Sequence, residues 1–267
     1  MLIPEVTRTH FPTLILLAAL GVAVGGCAVV QETGRRQLIL IPEAQEVQLG
    51  LTSFDQMKKD VPISKNASQV AMLQRVGQRI AAVANLPSAQ WEFILFESPE
   101  ANAFCLPGGK VGVYTGILPI TKDEAGLATV IGHEVAHAIA HHGAERMSQQ
   151  LLLDAGGNAL TAYTSNRDPK VQTAATSAYG LGGKLLVALP HSRNQESEAD
   201  HIGLLYMSRA GYDPEAAVAF WERFSEFNKQ AGSSTPWFLR THPLDDKRIA
   251  DLKTLLPKAK AEYHPTH

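Results

Sequence analysis

The chain has 267 residues, 45% of them hydrophobic and 19% charged, with 24 Lys+Arg against 26 Asp+Glu and a formal charge of −2. So even a balance carries no electrostatic footprint for nucleic acid and no charged run of the kind that forms a disordered tail. A mean hydropathy of −0.06 excludes a polytopic membrane protein, in which several long apolar spans would push the average well positive.

Apolar character is concentrated at the N-terminus. Thr9 to Gln31 contains no Asp, Glu, Lys or Arg, and Thr13 to Gly26 reads TLILLAALGVAVGG. This stretch is shorter than the roughly 20 residues of a spanning helix and ends in Gly-Gly, so it reads as a secretory signal with small residues at its cleavage point. Val24-Gly25-Gly26-Cys27 resembles the lipobox of bacterial lipoproteins. That resemblance implies removal of residues 1–26, acylation of Cys27, a tether over 27–41 and a functional domain over 42–267, held to a membrane by lipid. Ala28 resembles the outer-membrane sorting pattern, so the expected location is the periplasmic side of an outer membrane if the source is Gram-negative. The chain has two cysteines. With Cys27 acylated, Cys105 lacks an intramolecular partner and an activating pattern, and is expected to act as a small hydrophobe.

Beyond the leader, Pro42 to Lys59 has helical spacing with Pro at its start. Asn66 to Ala84 is a clearer helix, with Val70, Leu73, Val76, Ile80 and Val83 at three- and four-residue steps. The period then changes: Trp91–Phe96 and Val111–Thr115 are strand candidates, and Pro107-Gly108-Gly109 between them marks a turn. This predicts a small antiparallel sheet with its tip near Gly108. Thr121-x-x-Glu124 reads as a capping box opening a helix that Gly143 can end. Residues 156–188 are rich in Ala, Gly, Ser and Thr and are read as helix, and Pro214–Gln230 and Pro243–Leu256 each begin with Pro at a helix start. The fold class is α+β, mainly helical, with the small sheet beside the central helix.

Chemistry enters with His133-Glu134-Val-Ala-His137. Residues four apart on a helix sit one turn above each other, so the two imidazoles can converge on one ion while Glu134 projects beside it. Zinc suits such a pair, and a catalytic site needs a third protein ligand and a position for water. Ser192-Arg-Asn-Gln-Glu196-Ser-Glu198-Ala-Asp200 supplies a candidate. Glu196 and Asp200 share a helical face, so Glu196 can bind the metal while Asp200 orients a metal-bound His from behind; Glu198 points elsewhere.

HExxH followed by SRxxExEAD resembles the HtpX/CAAX-protease-type gluzincin metallopeptidases, and within them the periplasmic lipoprotein branch (LoiP/BepA-like). Thr33-Gly34-Arg35-Arg36-Gln37-Leu38, Glu43-Ala44-Gln45-Glu46, Asn102-Ala103-Phe104 with Pro107-Gly108-Gly109, and Thr241-His242-Pro243 with Arg248-Ile249 resemble further motifs of that branch in the same order. The resemblance implies a zincin-like metallopeptidase domain with one Zn²⁺ per chain on His133, His137 and Glu196. It implies unfolded or misfolded envelope proteins as substrates and envelope assembly machinery as a partner. The chain lacks room for a C-terminal tetratricopeptide array, so the shorter form is the expected one.

In the expected mechanism Glu134 is the general base. His242 is the candidate for stabilising the tetrahedral oxyanion, or alternatively a fourth ligand in a closed, latent form. Asn102, Ala103 and Phe104 are the expected edge strand to which substrate adds its own backbone. His141 and His142 are read as helix-end residues favourable to the dipole, and His201 is given no role. A zinc-binding chaperone or assembly factor without proteolysis is the alternative reading.

Overall fold

The computed structural model describes residues 27–187, 192–230, 237–244 and 246–265; the leader expected over residues 1–26 lies outside them. The chain opens with a hairpin of β1 (Cys27–Val29) and β2 (Arg36–Leu38), followed by α1 (Glu43–Asp60) and α2 (Ala67–Val83). Strands β3 (Glu92–Phe96), β4 (Ala103–Leu106) and β5 (Lys110–Tyr114) follow, and after them a short helix α3 (Leu118–Thr121). The remainder is helical: α4 (Glu124–Ile139), α5 (His142–Thr164), α6 (Pro169–Val187), α7 (Arg193–Arg209), α8 (Glu215–Gln230), α9 (Trp237–Thr241) and α10 (Asp246–Ala261). The α+β, mainly helical expectation holds.

The centre of the molecule is α4, in which every residue from Gly126 to Ala138 is buried. Helix α2 packs on it with Leu73, Val76 and Ile80, three of the residues whose spacing marked that helix. Asn66 caps α2 by accepting from the Gln69 N–H, as an N-cap side chain should. On another side α4 meets β4, the edge of a three-stranded sheet ordered β3-β5-β4. The sheet is mixed rather than purely antiparallel. Strands β4 and β5 form the expected hairpin, turned at Gly108 and Gly109 with φ of +83° and +80°, but β3 runs parallel to β5. Residues 97–102 carry the chain back to start β4, so β3 and β5 point the same way.

Both ends of α4 differ from the sequence expectation. Asp123, not Thr121, is its N-cap and accepts from the Gly126 N–H at 2.8 Å; Thr121 instead closes α3. At the other end the turn is made by His141 in the left-handed region (φ 51°), and Gly143 lies inside α5. The 27–41 segment is also not a free tether. Val30 is buried, and Arg35 pairs with Glu145 of α5 and Glu198 of α7, so the β1–β2 hairpin is docked on the domain. Among the described residues no helix is long and apolar enough to cross a membrane.

Helix α7 crosses α4 at two glycines. A Cβ on Gly132 would lie 2.8 Å from the Gly203 carbonyl oxygen, and one on Gly203 would lie 2.8 Å from the His133 nitrogen. These contacts are backbone on backbone, so nothing flexible can yield. Gly203→Ala is expected to lower the unfolding free energy by about 1–3 kcal/mol, measured by urea denaturation. Wild-type stability in that variant would contradict the close crossing.

Candidate active site

The crossing carries the site. His133 and His137, one turn apart on α4, bring their Nε2 atoms to 3.1 Å from each other. Glu196, in the first turn of α7, faces both: its Oε1 is 3.3 Å from His137 Nε2 and its Oε2 is 3.5 Å from His133 Nε2. The α7 start is fixed by a capping box between Ser192 and Gln195, which sets the rotation of Glu196 about the helix axis. His242, at the end of α9, completes the cluster with Nδ1 3.0 Å from Glu196 Oε1 and 3.3 Å from His133 Nε2.

These four groups fit a zinc ion. Tetrahedral zinc with bonds of about 2.0–2.1 Å requires its donors about 3.3 Å apart; the contacts given above lie between 3.0 and 3.5 Å, and all four donors lie within 4.8 Å of one another. All four residues are buried. Glu196 Oε2 accepts no hydrogen bond, although Arg248 Nη1 lies 2.9 Å away as an ion-pair contact. The local field favours a cation as well: burial alone would lower the His133 pKa, but Asp200 and Glu196 raise it to about 9. Burial pushes the Glu196 carboxyl up, and the surrounding imidazoles of His133, His137 and His242 outweigh it and hold the group far below the carboxylate range.

Behind the rings lies a second layer. Asp200 Oδ1 is 3.0 Å from His133 Nδ1, as its spacing from Glu196 implied, and Arg248 grips Asp200 through Nε and Nη2 at 2.7 and 2.8 Å. Arg248 also stacks over Trp221, 4.4 Å from the ring centroid. His137 has a different support: its Nδ1 is 2.7 Å from Nδ1 of His142, whose Nε2 is 2.9 Å from Glu198. The sequence reading missed His142, Glu198 and Arg248 as parts of the site. The signal for Glu198 was that it falls between two site carboxylates on α7; a helix buried on all sides has no idle face.

Glu134 opens into a cavity of about 560 Å³ lined by Asn102, Ala103, Phe104, Cys105, His137 and His242. Its Oε1 is buried without a hydrogen-bond donor, 3.4 Å from His242 Nε2. Burial raises the Glu134 pKa, partly opposed by His242 and His133 and by the main-chain N–H of Cys105. Strand β4 therefore turns its unpaired edge towards Glu134. Burial, with a smaller push from Glu134, raises the Cys105 thiol, which fits its reading as a small hydrophobe rather than a nucleophile. His141 points away to Glu46 at 2.8 Å, and His201 lies by Lys258.

The sequence profile of Peptidase family M48 matches residues 67–256, which hold the histidines and carboxylates of the cluster, Glu134 and Arg248. The chain belongs to peptidase family M48. It is 40% identical over 207 residues to the mitochondrial metalloendopeptidase OMA1 of Schizosaccharomyces pombe, covering 73% of this chain and 57% of that protein. Against the protein of the same name from Saccharomyces cerevisiae it is 39% identical, over 67% of this chain and 50% of the relative. The beta-barrel assembly-enhancing protease of Escherichia coli is 29% identical over 78% of this chain and 43% of its own length. The chain thus spans about half the length of these relatives. The metallopeptidase expectation holds at the level of the family. The periplasmic, outer-membrane location does not: the similar proteins of both yeasts, Arabidopsis thaliana, Bos taurus and Homo sapiens are mitochondrial, pointing away from a bacterial outer membrane.

In this M48 peptidase, Arg248 is the cation facing two buried carboxylates. Arg248→Ala is expected to destabilise the fold by about 3–5 kcal/mol, because it leaves Asp200 and Glu196 buried without that partner. Chemical denaturation of the metal-free protein measures this, and a loss below about 1 kcal/mol would contradict it.

Proposed function

We propose that the chain is a zinc-dependent endopeptidase acting on extended segments of unfolded or misassembled proteins, with His133, His137 and Glu196 as ligands and Glu134 as general base. The observation that carries this reading is the convergence of the three ligand groups beside a buried, unbonded Glu134 oxygen that faces a cavity bounded by an open strand edge. Zinc, when bound, supplies a Lewis acid that polarises the scissile carbonyl and lowers the pKa of water to about 7.

The residues do the rest. Glu134 takes the proton of the attacking water and returns it to the departing amine; burial supports this by raising its pKa from the ordinary carboxylate value towards the working pH. Asp200 and His142 hold the two α4 imidazoles so that each Nε2 faces the cluster. The outer edge of β4 along Ala103 and Phe104 offers main-chain pairing to substrate, with Asn102 just before it fixed by the bond from the Tyr114 N–H to its carbonyl; this mode reads backbone more than sequence and needs an extended chain. Such recognition selects unfolded segments over folded domains.

His242 has two positions in this scheme. With Nδ1 3.0 Å from Glu196 and 3.3 Å from His133, it would be a fourth group holding the metal in a resting form. Swung out of the cluster, the same ring donates to the tetrahedral oxyanion as its charge develops.

Casein incubated with the purified full chain is expected to be cleaved, and a chelator to stop it. Glu134→Gln should keep about one zinc per chain and lose at least about 100-fold in cleavage rate. Glu196→Ala should lose zinc and activity together. Substantial cleavage by Glu134→Gln would remove the general-base role, and zinc binding without cleavage by the wild type would favour a chaperone.

A further inference from the structure

A histidine that ligates a metal through Nε2 carries its proton on Nδ1, and that N–H needs an acceptor if the ring is to keep one orientation. His133 has Asp200 for this purpose. At Nδ1 of His137 stands another imidazole, Nδ1 of His142 at 2.7 Å. His142 is fully buried, and its other nitrogen is 2.9 Å from Glu198 Oε2. Glu198 in turn receives Arg35 Nε at 2.6 Å and the Thr33 hydroxyl, both from the β1–β2 hairpin. Arg35 is itself held by Glu145 of α5 through both terminal nitrogens, at 2.8 and 3.1 Å.

This chain has one self-consistent arrangement of neutral rings. An ionised Glu198 only accepts, so His142 carries its proton on Nε2 and presents a lone pair at Nδ1. His137 then donates from Nδ1, which leaves its Nε2 lone pair directed at Glu196 and His133. We infer that His142 and Glu198 are positioning residues for the metal site, and that Arg35 and Thr33 make the N-terminal hairpin part of the same device. The hairpin lies outside residues 67–256, so the site draws on a part of the chain beyond the matched family region. Docking of β1–β2 and metal affinity are thereby coupled: whatever detaches the hairpin frees Glu198, then His142, then the His137 ring.

The inference rests on the metal reading proposed above, and the test separates the two. Zinc dissociation constants are measured on the full chain by competition with a chromogenic chelator, with circular dichroism confirming the fold. His142→Leu is expected to weaken zinc binding about 10–100-fold. His142→Gln should recover most of that loss, since its carbonyl can accept from His137 and its amide can donate to Glu198. If His142→Leu does not fold, Glu198→Leu, which removes the acceptor, decides by the same titration, with weakening of about tenfold or more as the expected result. A folded His142→Leu with wild-type zinc affinity would overturn the relay alone, even if its unfolding midpoint fell, as would an unchanged constant in Glu198→Leu. Failure of the wild type to bind zinc would overturn the metal reading and the relay together.

Discussion

Where α4 crosses α7, Gly132 and Gly203 bring the two backbones into contact, and the candidate site depends on that approach. Helix α4 supplies two imidazoles on one face; α7 supplies the carboxylate that faces them. Neither helix holds the complete set, and at an ordinary interaxial distance of 8–10 Å with side chains between them Glu196 would not reach both rings. Removing the side chains at the crossing lets the next residues on each helix meet. The hydrophobic core then locks the geometry: Leu127, Val130 and Ile131 on α4 and Ile202, Leu204 and Leu205 on α7 are all buried around it.

Close packing of this kind creates an electrostatic problem. Glu134, Glu196, Glu198 and Asp200 are all buried within a few residues of one another in space, and carboxylates out of water are costly unless paired. The structure answers each differently. Asp200 has the fork of Arg248, Glu198 has Arg35 and His142, and Glu196 has three imidazoles and the end of Arg248. Glu134 and Glu196 each keep a buried oxygen without a hydrogen-bond donor; that of Glu196 faces Arg248, whereas that of Glu134 lies where a general base needs an unused acceptor. Arg35 comes from the first hairpin and Arg248 from the last helix, so both ends of the described fold contribute to neutralising one site.

Much of this was legible in the residues themselves. The spacing of His133 and His137 fixed a shared helical face, and the four-residue step from Glu196 to Asp200 put both carboxylates on one face of α7; the structure brings these four side chains together as that periodicity requires. The helix over Asn66–Ala84 and the hairpin turn at Gly108 followed from apolar period and turn chemistry. What local patterns could not supply was direction in space. The parallel run of β3 beside β5 is a property of how residues 97–102 cross, and no single residue announces it. Glu198 was read as pointing away because only one face of α7 was expected to matter, whereas the hairpin covers its other side. His142 was read as a helix-end residue; the left-handed turn at His141 starts α5 immediately and swings His142 back under His137. Location was read from the N-terminal segment alone, and the similar mitochondrial proteins point elsewhere.

The proposed chemistry requires that these nitrogens and oxygens hold a metal. The most direct measurement is a crystal structure of the zinc-loaded full chain with anomalous data at the zinc edge. One anomalous peak per chain is expected, about 2.0–2.2 Å from His133 Nε2, His137 Nε2 and a Glu196 oxygen, with Glu134 outside the coordination sphere. A zinc ion bound elsewhere, or ligated by Glu134 in place of Glu196, would contradict it.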